Sequence, residues 1–219
     1  MQLPIHYNKY IQTKHPIMEV QQHGNYYEDL KTRQITGLDK KSYDSLKSNG
    51  YTSGMDIMKG LLSLCDWSIK TTGGNVVDCG DILRRREEEK YNLVVAVWEQ
   101  VGMTKIFHTE YTFYISPGDE QKLWGKMDYN QLVEYVDYIK SIPAGKQAQQ
   151  ESKVKRTFHK ERLEDKEALF TINPKVDSKK QRRVQCSLKI KQLIKAGIPH
   201  KVTPIRETVF SPPRNVTVC

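Results

Sequence analysis

The run Leu93–Val97, LVVAV, is apolar at five successive positions. Neighbouring side chains of a strand point to opposite faces, so this segment belongs in the centre of a sheet covered on both sides. It lies inside Tyr91–Val101, YNLVVAVWEQV. Gly102-Met103-Thr104 then turns the chain into Lys105–Ile115, where Phe107, Tyr111, Phe113 and Ile115 alternate with polar or hydroxylated residues. Upstream, Val76–Leu83 reads as a third strand, and the expected arrangement is a three-stranded meander. The tip between the first two strands, RRREEE at Arg84–Glu89 plus Lys90, reads as an exposed turn.

Around this sheet the spacing predicts helices. Met55, Met58, Leu61, Leu62 and Cys65 paint one face of a helix over Met55–Cys65, with Asp56 as its N-terminal acid. After it Asp66–Lys70 turns extended and runs into a Gly73-Gly74-Asn75 loop. Tyr129–Ile142 is amphipathic and stopped by Pro143-Ala144-Gly145. Residues 146–169 are highly charged and read as one long solvent-facing helix or two shorter ones. Lys191–Ala196 is a short helix ended by Gly197, with an extended tail through Ser211-Pro212-Pro213. Residues 1–50 are polar, with turn signals at His23-Gly24-Asn25 and Ser48-Asn49-Gly50 and short helices expected near Tyr27–Arg33 and Lys40–Lys47. The implied fold class is α/β (α+β), a central mixed β-sheet flanked by helices, in a single domain of 219 residues. Its parts are a polar arm or cap at 1–52, a core at 53–145, a basic segment at 146–201 and a tail at 202–219.

Charge is concentrated in the third of these parts. The chain has 35 Lys+Arg and 26 Asp+Glu, and residues 151–201 hold 15 and 6 of them, leaving 20 of each elsewhere. All of the net +9 therefore sits in one quarter of the chain, which calls for a polyanionic partner. A membrane surface fits poorly, since no apolar run approaches the roughly 20 residues of a bilayer span and no basic amphipathic helix has a large apolar face. Met1–Tyr10 lacks an apolar signal core, so a cytoplasmic protein is expected. Cys65, Cys79, Cys186 and Cys219 form no CxxC pair, and with the scattered His they give no zinc-ligand spacing.

The basic segment contains a β-ribbon. Phe170–Val176 and Arg183–Ile190 are β-prone arms joined by a polar turn at Asp177–Lys180. In the second arm Val184, Cys186, Leu188 and Ile190 alternate with Arg183, Gln185, Ser187 and Lys189, giving one core face and one row of long donors. Lys175, Lys179, Lys180, Arg182 and Arg183, with Gln181 and Gln185 interleaved, suit phosphate oxygens and base edges, and a two-stranded ribbon fits a major groove. The same pattern also describes a solvated strand face with a charged tip.

The sheet offers acids for metal chemistry. Asp78 and Asp81 end one strand, Glu99 lies in the neighbouring central strand, and Lys70 and Lys105 are close in sequence. Carboxylates on neighbouring strands can hold Mg²⁺ while a Lys orients water. On a regular strand Asp78 and Asp81 face opposite ways, so one of them is structural. Glu99 inside an apolar strand is expensive to bury without a partner, and a strand-end ion pair is its alternative role. For Asp81 the alternative is a turn-side cap or a salt bridge to Arg84 or Arg85.

The order of a helix, WSIKTTGGNVVDCGDI, an apolar strand ending in an acid, an aromatic strand, a helix and the QRRVQCS ribbon resembles type II restriction endonucleases of the PD-(D/E)xK group. The resemblance spans roughly residues 53–190. It implies a restriction-endonuclease-like core, Mg²⁺-dependent sequence-specific cleavage of double-stranded DNA, a homodimer on a palindromic site and a bacterial cytoplasm. Carried over by position, Asp81 or Asp78 stands for the first acid and Glu99 for the second. The Lys expected two positions after Glu99 is absent, so Lys70 of Ser68-Ile69-Lys70, or Lys105, takes that role, with Gln100 a further candidate. The rival expectation is a non-enzymatic nucleic-acid-binding protein using the 170–190 ribbon.

Overall fold

In the computed structural model, which describes residues 22–47 and 54–213, the central position of Tyr91–Val101 (β3) follows from its sequence. It lies between Trp67–Thr72 (β1) and Thr104–Ile115 (β4), parallel to the first and antiparallel to the second, and His200–Phe210 (β7) closes the order β1-β3-β4-β7. Val94 and Ala96 face one side and Leu93 and Val95 the other, all fully buried. On the first side pack Gln22–Thr36 (α1) and Lys40–Ser45 (α2), through Tyr27 and Tyr43. The Tyr27 ring stacks on Phe107 at 4.9 Å and its hydroxyl donates to Glu110, which Lys31 also grips at 3.0 Å. These bonds fix α1 against the sheet.

The second side carries an antiparallel sheet of Val76–Asp81 (β2), Thr171–Val176 (β5) and Arg182–Lys189 (β6), in the order β2-β6-β5. With it pack Ile82–Arg86 (α3), Glu120–Trp124 (α4), Tyr129–Ser141 (α5) and Ile190–Lys195 (α7), around a core that includes Val77, Leu132, Ile172, Leu188 and Leu193. The molecule is a mixed α+β fold. The basic segment is not a separate module, because β6 hydrogen-bonds to β2 and its apolar face shares that core.

Several expected elements hold. The ribbon is β5–β6, Lys146–Leu163 (α6) is a long helix with no buried residue, and Gly197 sits past α7 at φ +70°. Others change. The three-stranded meander is replaced, since β2 leaves β3 for the second sheet. The His23-Gly24-Asn25 signal lies within α1 rather than in a turn. The charged tip contains α3, whose Arg85 is only 4% exposed. Residues 55–65 form no helix. Ile57 bridges Trp67 in antiparallel fashion, and Gly60 at φ +83° with Leu62 at φ +59° turns the chain back into β1. The apolar spacing there reports one inward-facing edge, with Met55 and Ile57 buried, rather than a helical face. Ser48-Asn49-Gly50, Cys219 and residues 1–21 and 48–52 of the expected arm lie outside the described residues.

Candidate active site

β1 is the end strand of its sheet, and the stretch before it folds back along its outer edge. This brings Asp56 against β1, where its Oδ2 accepts from the Ile69 N–H at 2.5 Å and from Lys70 Nζ at 3.0 Å. Asp56 keeps 20% of its side chain exposed. Burial acts to raise its carboxyl, but the Lys70 charge, the Ile69 N–H and the Arg85 charge together hold it below the ordinary value. From α1, Glu28 enters the same electrostatic field. Burial and then the Asp56 charge raise its carboxyl against the opposing pull of Lys40, 3.2 Å away, and Lys70.

Lys70 also lines a pocket of about 160 Å³ with Gly54, Cys79, Gly80, Asp81, Arg84 and Arg85. Arg85 is locked in place. Its guanidinium donates to Ser68 Oγ at 3.0 Å and to the Cys79 carbonyl at 3.3 Å, and it lies 4.7 Å over the Tyr91 ring. A fixed guanidinium, an exposed Arg84 and an ammonium around a small cavity make a setting for an oxyanion such as a phosphate. Burial pushes the Cys79 thiol up to about 11, so the sulfur in this wall is not a nucleophile at neutral pH.

The acids expected from sequence do not form one centre. Asp81 does reach the pocket, but it is exposed and N-caps α3, accepting from the Arg84 N–H at 3.1 Å. Asp78 is exposed and bonds the Gly80 N–H at 2.9 Å. A bulge between them, with Gly80 at φ +83°, breaks the regular alternation, which is why both can face water. Glu99 is exposed and not a buried acid of the central strand. Lys70 pairs with Val95, so Glu99 lies four residues further along β3, about 13 Å from the residue opposite Lys70.

Lys105 and Gln100 are also reassigned. Lys105 is buried, 3.0 Å from His23 and 3.8 Å over the Trp98 ring. Gln100 ties together the carbonyls of Gly102, Thr104 and Ser211. Lys70 keeps its candidate role, and the carboxylate that meets it is Asp56, with Glu28, paired to Lys40, coupled to them through charge alone; neither acid is a site candidate in the sequence reading. Asp56 was hidden by the expected helix. Among the described residues no group of three or more His, Cys, Asp or Glu could hold a metal. Mg²⁺ takes one or two carboxylates and keeps several waters, and the donors this region offers are Asp56 beside Lys70 and Glu28 beside Lys40.

On the ribbon, Lys179, Lys180 and Arg183 are exposed, and Lys175, Gln181 and Gln185 are half-buried. Lys175 and Arg183 are direct cross-strand partners, a like-charge pair that destabilises the sheet face unless an anion sits on it. Arg182 is not available for base reading. Its side chain is 9% exposed and clamps the carbonyls of Ile142, Pro143, Asp177 and Gln181. Alongside, α6 adds Lys146, Lys153, Lys155, Arg156, Lys160 and Arg162 against two acids, and Gln149 ties it to the Val176 carbonyl at 3.0 Å. No helix among the described residues is long and apolar enough to cross a membrane. The chain matches no protein-family model, no curated protein and no solved structure.

Proposed function

We propose that the protein is a Mg²⁺-dependent endonuclease of double-stranded DNA, akin to the PD-(D/E)xK restriction enzymes, with Asp56, Glu28 and Lys70 as its working groups. The observation that carries this reading is the Asp56–Lys70 pair, 3.0 Å apart, with Lys70 in the wall of a small cationic pocket. Bound Mg²⁺, held by Asp56 and Glu28, would supply Lewis-acid stabilisation of charge on the phosphate. Arg84 and Arg85 hold the phosphate against the pocket wall. Lys70 donates a hydrogen bond that orients the attacking water, whose oxygen bonds to phosphorus and gives up a proton to bulk solvent as the bond to the 3′ oxygen breaks. The leaving oxygen takes its proton from solvent.

Binding rests on the ribbon and α6. Lys175, Lys179 and Lys180 contact phosphates, while Arg183, Gln181 and Gln185 face the bases. Two copies on a palindromic site complete the proposal. The test is incubation with a sequence-diverse plasmid in Mg²⁺ or in EDTA. Discrete fragments formed only with Mg²⁺, and lost in Lys70→Ala, support the reading. The second reading, a binding protein without catalysis, is favoured by the cross-strand Lys175–Arg183 repulsion, which needs only a bound polyanion. It predicts retarded but intact DNA in both buffers.

A further inference from the structure

The stretch that carries Asp56 and the strand that carries Lys70 are joined by the loop 58–66, and this loop ends in leucines. Leu64 is 92% exposed and Leu62 53% exposed, whereas Leu61 packs inward on the α1 side of the sheet. Leu62 is the one non-glycine residue with positive φ among the described residues, at +59°, a conformation a leucine adopts only when its surroundings impose it.

The surroundings do impose it. The Met58 N–H donates to Tyr43 Oη at 2.8 Å, the Lys59 N–H to Asp66 Oδ1 at 2.7 Å and the Gly60 N–H to the Ser63 carbonyl at 2.8 Å. Ser63 Oγ accepts from Trp67 Nε1 at 3.0 Å and donates to the Cys65 carbonyl at 2.7 Å. A loop this well bonded holds its shape, and it spends that rigidity on presenting apolar side chains to water. A surface tip without a partner gains nothing from this arrangement.

Leu64 is three residues from Trp67, which pairs with Ile57 beside Asp56. The Trp67 carbonyl also accepts from the Asp56 N–H at 2.9 Å, so the tip lies within about 17 Å of Asp56, or roughly five base steps of a duplex. We propose that Leu64, supported by Leu62, is a wedge that enters the duplex within about five base steps of the cut phosphate and unstacks one base step. The inference rests on the nuclease reading for its occupant, a DNA duplex, and on the continuity of the tip with the Asp56–Lys70 site. Short apolar side chains inserted between base steps are a known way of kinking DNA.

The experiment places 2-aminopurine singly at successive positions of a duplex, with wild type, Leu64→Ala and Lys70→Ala, in EDTA for fluorescence and in Mg²⁺ for cleavage. Both leucines are exposed, so the alanine variant folds. Wild type and Lys70→Ala are expected to raise fluorescence at one step within about five positions of the cut, and Leu64→Ala is not. Leu64→Ala is expected to cut the paired duplex at least about tenfold more slowly, and to return to within about twofold of wild type on a duplex mismatched at that step. Equal cutting of the paired duplex by Leu64→Ala and wild type overturns the wedge and leaves the nuclease reading intact. A Leu64→Ala protein that sediments as a smaller species than wild type also overturns it, because the leucines then belong to an interface between copies. If wild type cuts nothing yet raises fluorescence, the nuclease reading fails and the wedge stands as a binding device. If it neither cuts nor raises fluorescence, both fail.

Discussion

Asp56 and Glu28 meet the same lysine-rich surroundings, yet their neutral isosteres are expected to change stability in opposite directions. In Asp56→Asn the Ile69 N–H keeps an acceptor, but the Lys70 ammonium loses its charged partner. A charge-assisted bond contributes about 1.5–3 kcal/mol, and Lys70, 24% exposed, recovers part of that from water. The expected loss is about 1–2 kcal/mol, or roughly 2–8 °C in Tm for a chain of this size. Glu28→Gln removes a charge that burial already disfavours, so without metal its Tm is expected to match or exceed that of wild type.

The pH dependence separates the two further. The Asp56 carboxyl lies below its ordinary 3.8 when folded, so its contribution is complete above that value and fades as pH falls below it. The gap between wild type and Asp56→Asn therefore closes in strong acid. The Glu28 carboxyl lies above its ordinary 4.5 when folded, so its ionised form costs stability at higher pH. The gap between wild type and Glu28→Gln closes as pH falls toward 4.5. Thermal melts in EDTA from strong acid to pH 8 measure both. Equal destabilisation by the two variants at pH 7 refutes the account of the pair, because Glu28 is then an ordinary favourable ion-pair partner.

Other expectations follow from the same geometry. Glu99→Gln leaves Mg²⁺-dependent cleavage within about twofold of wild type, since it sits about 13 Å along β3 from the residue opposite Lys70; a plasmid assay reads this. Arg182→Ala lowers stability by about 2–4 kcal/mol in a denaturant melt, because it leaves partly buried carbonyls unpaired, while the base preference of binding is unchanged. Lys179→Ala with Lys180→Ala weakens duplex binding equally across sequences and reduces the slope of log K against log salt by about 1.8; a titration at several salt concentrations tests it. Gly73→Ala destabilises, because its Cβ falls 2.7 Å from the Trp98 ring, and a lowered Tm is the readout.

Elements set by their own side chains were legible in the sequence. The LVVAV strand, the amphipathic α5, the exposed α6 and the β5–β6 ribbon each carry a complete local pattern. What was not legible depends on pairing across the fold. Apolar spacing at Met55–Cys65 satisfies a helix as well as an edge stretch, and only the Ile57–Trp67 bridge decides between them. That substitution hid Asp56 and with it the acid beside Lys70. Glu99 misled for the opposite reason. Its apolar neighbours run out before it, so a residue inside the strand by sequence is beyond the covered part of the sheet. The bulge at Gly80 defeats the parity argument for Asp78 and Asp81, and Arg182 reads as a base contact because nothing local announces four carbonyls gathered from the α5–α6 connection and the ribbon turn.

The most direct test of the central claim is a plasmid digestion with wild type, Lys70→Ala, Asp56→Asn and Glu99→Gln, each with Mg²⁺ and with EDTA. The account predicts discrete fragments from wild type and Glu99→Gln in Mg²⁺ alone, and intact plasmid from the Lys70 and Asp56 variants in both buffers. Intact plasmid from wild type in Mg²⁺, or undiminished cutting by Lys70→Ala, contradicts it.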